Sequence, residues 1–323
     1  MTHAIVMREP GGPDVLKWEE VATAEPGPGE IRIKQTAVGL NYIDCYHRTG
    51  LYPLDYPATI GMEGAGAIDA VGDGVTTLSI GDRVAYASGP PAAYTQSRII
   101  PANRVVALPD SISDDTAAAM MLQGMTVQYL IRTTYRVKAG ETVLLHAAAG
   151  GVGLIACQWL KQLGATVIGT VGSDAKAELA KSHGCDHTII YTRENFTDRV
   201  RDITNGEGVP VVYDSIGKDT FDGSLDCLSP MGMFVSFGNA SGPLEPFNPG
   251  ILAAKGSLFF TRPSLVNYTA KSEDLQNSAK ELFEAVAKGL KIEINQRFPL
   301  KDAAAAHRAL EARETTGSTI LQP

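Results

Sequence analysis

Cysteine is scarce in this chain: there are 4 among 323 residues, and Cys45, Cys157, Cys185 and Cys227 stand far apart. That spacing excludes a Cys-x-x-Cys metal site and a disulfide frame, and it fits a reducing compartment. Long apolar runs are also missing. No stretch of about 18 apolar residues offers a membrane span, and Met1–Gly12 lacks the apolar core of a secretion signal. A cytoplasmic protein is therefore expected. Basic residues fall short of acidic ones, 28 against 36, giving a net charge of −8. An extended basic face is excluded on that balance, and with it nucleic-acid binding as the main activity. Repeats and low-complexity tracts do not occur. The hydrophobic share of 44% is ordinary for a globular protein, and the length is enough for two domains.

What is present centres on residues 141–164. Val143, Leu144 and Leu145 form a short apolar run suited to a buried parallel strand. Ala147, Ala148, Ala149, Gly150, Gly151, Val152 and Gly153 follow, and then Val152, Ile155, Trp159 and Leu163 are spaced along one face of a helix. A strand, a tight small-residue turn and a helix aim helix N-terminal amides at an anion and let a pyrophosphate approach the backbone. In the Gly-x-Gly-x-x-Gly reading the turn is Ala148–Gly153, with alanine at the first glycine. The next strand, Ala165–Val171, ends at Gly172, about the interval of a dinucleotide-binding βαβ unit. Strands at Thr188–Tyr191, Val209–Tyr213 and Gly232–Phe237 alternate with helices at 174–183, 195–204 and 219–228. Such alternation predicts a parallel sheet with helices on both faces.

Residues 1–120 read differently. Ala4–Met7 and Ile31–Lys34 predict short strands, Gly11–Pro13 and Pro26–Gly29 turns, and Val71–Val75 and Ile80–Val84 further strand–turn elements. Many short strands at close spacing predict a compact β-barrel-like domain. Pro109–Arg132 reads as a helical bridge through Asp114–Met120 and Thr126–Ile131. Beyond residue 262 come a helix at Ser272–Lys288, extended pieces at Ile292–Ile294 and Arg297–Phe298, a helix at Asp302–Arg313 and a strand at Ser318–Leu321. A tail this short does not fold alone. The expected organisation is a first domain at 1–123, a nucleotide domain at 124–261, and a returning part at 262–323 that completes the first.

Gly140, Glu141, Leu144, Ala148, Ala149, Gly150, Gly151, Gly153, Gln158 and Lys161 carry a spaced pattern. The segments Asn41–Asp44, Gly61–Gly66, Gly81–Val84, Val212–Ser215, Val235–Asn239 and Thr261–Ser264 agree with it. On these residues the chain resembles, over essentially its whole length, the quinone oxidoreductase/zeta-crystallin family, and within it the bacterial NADPH:quinone oxidoreductases. This family is a zinc-free branch of the medium-chain dehydrogenase/reductases. The resemblance implies an α/β fold: a Rossmann doubly wound parallel sheet inserted in a GroES-like β-barrel-type catalytic domain. It also implies a homodimer. Met231–Phe237 and Ser257–Phe260 are the apolar β segments suited to pair across a two-fold axis.

In the zinc-dependent relatives a cysteine stands three residues before an aspartate, and a histidine precedes the glutamate of a Gly-His-Glu run. Here those places hold Asn41, before Asp44, and Met62, before Glu63. A neutral amide and a thioether are poor substitutes for thiolate and imidazole on zinc. The lobe of four closely spaced cysteines is missing as well, since Gly81–Tyr86 runs on to Tyr94–Gln96. No metal is expected. Without a Lewis acid, simple alcohol oxidation is disfavoured, whereas a quinone accepts hydride into an aromatic product. The protein's task is then to hold nicotinamide against quinone and to hydrogen-bond the developing oxyanion. Asn41, Tyr46 and Tyr52, read as flanking one loop, are the candidates for that pocket, since Asn and Tyr donate hydrogen bonds while neutral. Asp44 is either a group that orients a neighbour or titrates, or a turn or capping residue. His146 reads as structural, with a ring nitrogen bonded to backbone.

The second strand ends in Gly172 and Ser173, without the acidic residue that holds the ribose hydroxyls in NAD enzymes; Asp174 comes late and reads as a cap of the next helix. The resemblance implies that Gly172, Ser173, Lys176, Tyr191 and Arg313 hold the 2′-phosphate of NADPH. It places Gly151 and Val152 at the pyrophosphate, with Gly150 and Gly153 of the same turn also among the cofactor-binding residues. Thr126, Tyr129, Phe237, Gly238 and Asn239 fall along the nicotinamide half, with Arg262, Pro263 and Ser264 nearby, and Asn41 and Ser215 are further residues that the resemblance implies for cofactor binding. NADPH-dependent quinone reduction is the leading reading. An NADPH-dependent alkenal or enone reductase uses the same chemistry on a conjugated carbonyl. A cofactor-binding structural or RNA-binding protein is the alternative of another class, disfavoured by the acidic balance.

Overall fold

The computed structural model describes Met1–Pro323, which separate into two compact units. One comprises Met1–Met125, Thr269–Phe283 and Ile292–Pro323; the other comprises Thr126–Tyr268 and Glu284–Lys291.

The nucleotide unit is built on six parallel strands, in the spatial order His187–Ile190, Thr166–Val171, Thr142–Leu145, Val209–Asp214, Leu228–Ser236 and Phe259–Thr261. Counted along the chain within this unit, the order is 3-2-1-4-5-6, that of the doubly wound dinucleotide fold. Central strands of such a sheet are covered on both faces, which is why Val143–Leu145 and Val211–Tyr213 are continuously apolar and buried. Leu144, Ile168, Val212, Phe221, Leu225 and Phe234 share one core. The order reverses between Thr142–Leu145 and Val209–Asp214. Ligands of such sheets bind beyond the strands' carboxyl ends at that reversal, where the small-residue turn and Ser215 lie.

The predicted boundary at residue 261 leaves Arg262–Tyr268 with the returning tail, but these residues pack with the nucleotide unit. The Tyr268 ring stacks on Tyr129 at 4.5 Å, and Thr134 Oγ1 donates to its hydroxyl at 2.8 Å. Glu284–Lys291 also belong here, with Lys291 N donating to Gln158 Oε1 at 2.9 Å.

In the other unit the long strand Glu30–Leu40 pairs antiparallel with Glu63–Val71, Ser97–Pro101 and Ser318–Gln322. Arg83–Tyr86 and Val106–Ala107 extend the seven-stranded sheet on one side and Ile294–Pro299 on the other. The C-terminal strand thus lies in the N-terminal sheet. Ile31, Ile33, Val38, Ile68, Val84, Ile100 and Leu321 form its core. The strand–turn elements read at Val71–Val75 and Ile80–Val84 are the end of the strand Glu63–Val71 with the turn after it, and a turn leading into the strand Arg83–Tyr86. Gly74 and Gly81, at φ +80° and +95°, take turn conformations closed to side-chain-bearing residues. The segment from Asn41 is not a loop. Tyr42–Thr49 is an α-helix ended by Gly50 in the left-handed region.

Candidate active site

In the nucleotide unit the strand Thr142–Leu145 delivers the chain into the turn, and the helix Gly151–Gln162 leaves it with Gly150 as its N-cap. Ala147 takes φ 56°, a left-handed conformation that costs a non-glycine residue on the order of 1 kcal/mol. Gly153 is required by close approach: a Cβ there would lie 2.3 Å from Ala147 O and 2.6 Å from Ala148 O. At Gly150 a Cβ would meet only Ala147 O, at 3.4 Å, so the side facing out of the turn is open. The first amides of the helix have no intrahelical acceptor. An open glycine beneath a helix N-terminus fits a pyrophosphate.

The strand Thr166–Val171 ends at Gly172, where a Cβ would lie 2.9 Å from the Tyr191 hydroxyl. Ser173, not Asp174, caps the helix Asp174–Ser182, its Oγ accepting from Lys176 N at 3.4 Å. Arg193 forks onto both oxygens of Asp174 at 2.6 and 2.9 Å, and that hydrogen-bonded pairing holds the carboxyl below its usual range. Gly172, Ser173, Lys176 and Tyr191 are thus neighbours. Arg313, an exposed residue with φ 60° just beyond the helix Ala303–Glu311, belongs to the other unit.

The loops after Asp214 and Ser236 interlock. Phe237 N donates to Asp214 O at 2.7 Å, and a Cβ on Gly238 would meet Ser215 O at 2.5 Å. Asn239, in the amide orientation that satisfies both its groups, accepts from Arg262 Nη2 at 3.2 Å; Arg262 Nη1 donates to Ser236 O at 2.9 Å. Ser264 O receives the amides of Asn267 and Tyr268, and Pro263 joins Arg262 to it. Thr126 and Tyr129 are buried on the helix Met121–Tyr129.

His146 departs from expectation: its ring bonds to hydroxyls, not backbone. Nδ1 meets Thr170 Oγ1 and Nε2 meets Ser224 Oγ, each at 2.9 Å. The reason is Asp214, buried at the strand end. Its Oδ1 accepts from the amides of Ile216 (2.7 Å) and Gly217 (2.8 Å), its Oδ2 from Thr220 Oγ1 (2.6 Å) and Ser224 Oγ (3.3 Å).

In the other unit Asn41 is the N-cap of the helix Tyr42–Thr49. Asp44 is its capping-box partner: Oδ2 accepts from Asn41 N at 2.9 Å and from the Tyr94 hydroxyl at 3.0 Å. With no exposed surface, Asp44 caps and does not line a pocket. Burial pushes it up to about 7. Tyr46 and Tyr52 are half-buried, their rings edge-to-face at 5.4 Å, and Tyr52 also meets the His47 ring at 5.8 Å. The Asn41 amide donates through Nδ2 to Glu63 Oε2 at 2.6 Å and accepts at Oδ1 from Gln123 Nε2 at 3.1 Å. Glu63 Oε1 accepts from Leu122 N at 2.7 Å, at the start of the helix Met121–Tyr129. Burial pushes Glu63 up to about 8, against the pull of these donors. Tyr94 also meets His307 Nε2 at 3.0 Å, and Arg48 Nη1 meets His307 Nδ1 at 3.0 Å; burial drives His307 down to about 3.

Two family models match: the alcohol dehydrogenase GroES-like domain over residues 27–110 and the zinc-binding dehydrogenase over residues 151–286. A quinone oxidoreductase of Pseudomonas aeruginosa is 55% identical over 315 residues, 97% of each chain. A 2-haloacrylate reductase of a Burkholderia species is 46% identical, covering 100% of this chain and 99% of the relative. The crystal structure of Escherichia coli quinone oxidoreductase complexed with NADPH superposes with a TM-score of 0.98 at 47% identity, over 99% of this chain and 100% of that one. The chain belongs to the quinone oxidoreductases, a zinc-free branch of the medium-chain dehydrogenase/reductases.

As in that branch, the seven-stranded unit is the GroES-like domain and the parallel sheet the Rossmann domain. The metal-binding name of the second model does not carry over to the side chains here. Asn41 turns its amide to Glu63 and Gln123, Met62 is buried, and no three His, Cys, Asp or Glu side chains gather into a ligand set. Glu63 and Gln123, which hold the Asn41 amide, are residues that sequence reasoning did not single out. A signal for Glu63 existed: it stands among the small and apolar residues of Gly61–Gly66, where a charged side chain on a buried strand needs partners. Gln123 carried none, since polar residues are common on helices.

Proposed function

We propose that this protein reduces quinones with NADPH and without a metal. The observation that carries the reading is the Asn41 amide, held by Glu63 and Gln123 in the place where zinc-dependent relatives hold a thiolate. A neutral donor of this kind stabilises a developing oxyanion but does not polarise an alcohol as a metal does. When bound, NADPH supplies the hydride. The amides of Gly151 and Val152 at the helix N-terminus receive its pyrophosphate above Gly150 and Gly153. Lys176, Ser173 and Tyr191, beside Gly172, take the 2′-phosphate, and Arg313 is the further cation that the family resemblance assigns to it. Thr126, Tyr129, Ser215, Phe237, Gly238 and Asn239, with Arg262, Pro263 and Ser264, support the nicotinamide half. Asn41, Tyr46 and Tyr52 offer the quinone oxygen hydrogen bonds and the ring an aromatic wall.

A second reading, reduction of conjugated carbonyl substrates, is favoured by the 46% identity to the 2-haloacrylate reductase. We also propose a homodimer through the edge strand Phe259–Thr261, where Phe259 is 57% exposed, and a cytoplasmic location consistent with four free, buried cysteines. No helix is long and apolar enough to cross a membrane.

Steady-state rates test the function. Oxidation of NADPH by a panel of quinones is expected to outpace that by alkenals and 2-haloacrylates. NADPH is expected to exceed NADH about 10- to 1,000-fold in kcat/KM, as one or two charge-assisted contacts give. Turnover of alkenals but not quinones establishes the second reading, and a preference for NADH overturns the assignment around Lys176.

A further inference from the structure

Asparagine amides are ambiguous: either end can face a ligand, and the two ends have opposite hydrogen-bonding sense. Around Asn41 the ambiguity is removed by its neighbours. Glu63 fixes one side. Leu122 N–H is a backbone donor and occupies Oε1 at 2.7 Å, so an ionised Glu63 presents only an acceptor, Oε2, to Asn41. The Asn41 nitrogen must face it, at 2.6 Å. That turns Asn41 Oδ1 toward Gln123, whose nitrogen must then face inward at 3.1 Å, and whose Oε1 faces Ser318 Oγ at 2.9 Å. The order propagates from Glu63 across a helix cap, a helix and a C-terminal strand. Glu63 has no exposed surface, while Asn41 and Gln123 are 6% and 7% exposed, so water does not compete for these bonds. One of the two hydrogens on Asn41 Nδ2 is spent on Glu63; the other is left at a fixed direction.

We propose that Glu63 and Gln123 are positioning residues that set the Asn41 amide, so that its second Nδ2 hydrogen is the donor to the reducible oxygen of the substrate. This rests on the quinone-reductase reading above. The glutamate that follows a histidine in zinc-dependent relatives here stands beside an amide, and the carboxylate serves to orient that amide. Glu63→Gln keeps the shape and reverses the logic. Its oxygen stays with Leu122 N–H, its nitrogen then faces Asn41, and the Asn41 amide must rotate to present Oδ1. Gln123→Met removes the partner on the opposite side without touching Glu63.

The experiment is a double-mutant cycle read in kcat at pH 8.5, where Glu63 is ionised, with 1,4-benzoquinone and saturating NADPH, and with thermal unfolding of every variant as a check on the fold. In the wild-type background Glu63→Gln is expected to lower kcat by roughly 100-fold, the size of a misdirected catalytic group. In an Asn41→Ala background the same substitution is expected to lower it by no more than about 3-fold, because there is no amide left to orient. Gln123→Met is expected to show the same background dependence with a smaller loss, and it serves alone if Glu63→Gln does not fold. Equal losses in both backgrounds, or no loss in the wild-type background, overturn the inference and leave the quinone-reductase reading standing. A folded wild-type enzyme that turns over no quinone overturns that reading, and this inference falls with it.

Discussion

The two units each bury carboxylates with no exposed surface, and they treat them differently. Asp214, in the nucleotide unit, receives two backbone amides on one oxygen and two hydroxyls on the other, with His146 Nε2 at 3.8 Å. Glu63, in the GroES-like unit, receives the Asn41 amide on Oε2 and the Leu122 N–H on Oε1, with the Met121 amide as a third donor, and Asp44 receives both its donors on Oδ2 while Oδ1 has no partner. Burying a charge is costly unless its hydrogen-bonding capacity is filled. At Asp214 it is filled, and the carboxylate acts as the knot that ties the strand end to the loop beginning at Ser215. At Glu63 and Asp44 it is only partly filled, and burial raises both well above the ordinary carboxylate range. Filled networks fix a scaffold; under-filled ones mark the place where protonation still matters.

The comparison breaks first at Asp214. Asp214→Ala leaves two buried amides and two hydroxyls without their acceptor, at about 1–3 kcal/mol each before relaxation. A net loss of about 4 kcal/mol is expected, or roughly 8–16 °C in Tm. Asp214→Asn is expected to recover more than half of it, because the Thr220 and Ser224 hydroxyls can rotate to accept from an amide nitrogen. Glu63→Gln, by contrast, is expected to cost under about 1 kcal/mol, since it removes a buried charge along with a hydrogen bond. A melting experiment in which Asp214→Ala and Glu63→Gln cost the same would erase the distinction.

Much of this fold was readable because the nucleotide unit obeys local rules. Its strands are continuously apolar, its turn is built of small residues, and its helices keep a regular period, so the parallel sheet followed from residues 141–237. The GroES-like unit was harder. Its sheet is made by partners far apart in sequence, such as Thr319 with Leu40, and no local pattern states such a pairing. The helix Tyr42–Thr49 was misread as a loop because its core-facing residues, Asp44, Cys45, His47 and Arg48, are mostly polar. They are buried on one another and on His307, which lies 259 residues beyond Arg48. Asn41, Tyr46 and Tyr52 were named from residue type and family likeness. Glu63 carried a signal, a charge among the small and apolar residues of a buried strand, whereas Gln123 became visible only when three elements converged on one amide.

A pH series sharpens the comparison further. Glu63 is raised by burial and by Asp44 across the helix cap, and lowered by Asn41 and by the amides of Leu122 and Met121; Tyr86 is the other titratable side chain near it. A carboxyl whose folded pKa lies above its unfolded one stabilises the protein at acidic pH and loses that contribution as pH rises. Between the unfolded value near 4 and the folded value of about 8, Tm is therefore expected to fall, by roughly 4–8 °C for a contribution on the order of 2 kcal/mol. In Glu63→Gln the fall is expected to be shallower. Activity runs the opposite way. The ionised carboxylate is the form that accepts from Asn41, so kcat is expected to rise toward pH 8, while stability declines. Parallel melting curves for wild type and Glu63→Gln across this range would remove Glu63 from the account.

The smallest effect lies at the surface of the nucleotide unit, where the pattern of the buried sites repeats in water. Asp174 stands one residue past the strand-end pair Gly172 and Ser173, close to where an acid would favour NADH. Arg193 holds both its oxygens, and Asp174 and Arg193 are 75% and 58% exposed. Exposed pairs of this kind are weak and screened by salt. Arg193→Ala therefore leaves the fold intact but frees an acidic group beside the Lys176 and Tyr191 cluster and removes a cation from it. Both changes act against a 2′-phosphate and neither against a ribose hydroxyl. The NADPH/NADH ratio in kcat/KM is expected to fall by about 2- to 5-fold at low salt, through KM for NADPH, and to converge on the wild-type ratio as salt screens the charge. Lys176→Ala removes a cation that the reading above places on the phosphate itself, so its effect on the same ratio is expected to be larger, about 10-fold, with KM for NADH nearly unchanged. If Arg193→Ala outweighs Lys176→Ala, Arg193 is the phosphate ligand and Asp174 the group that holds it in place.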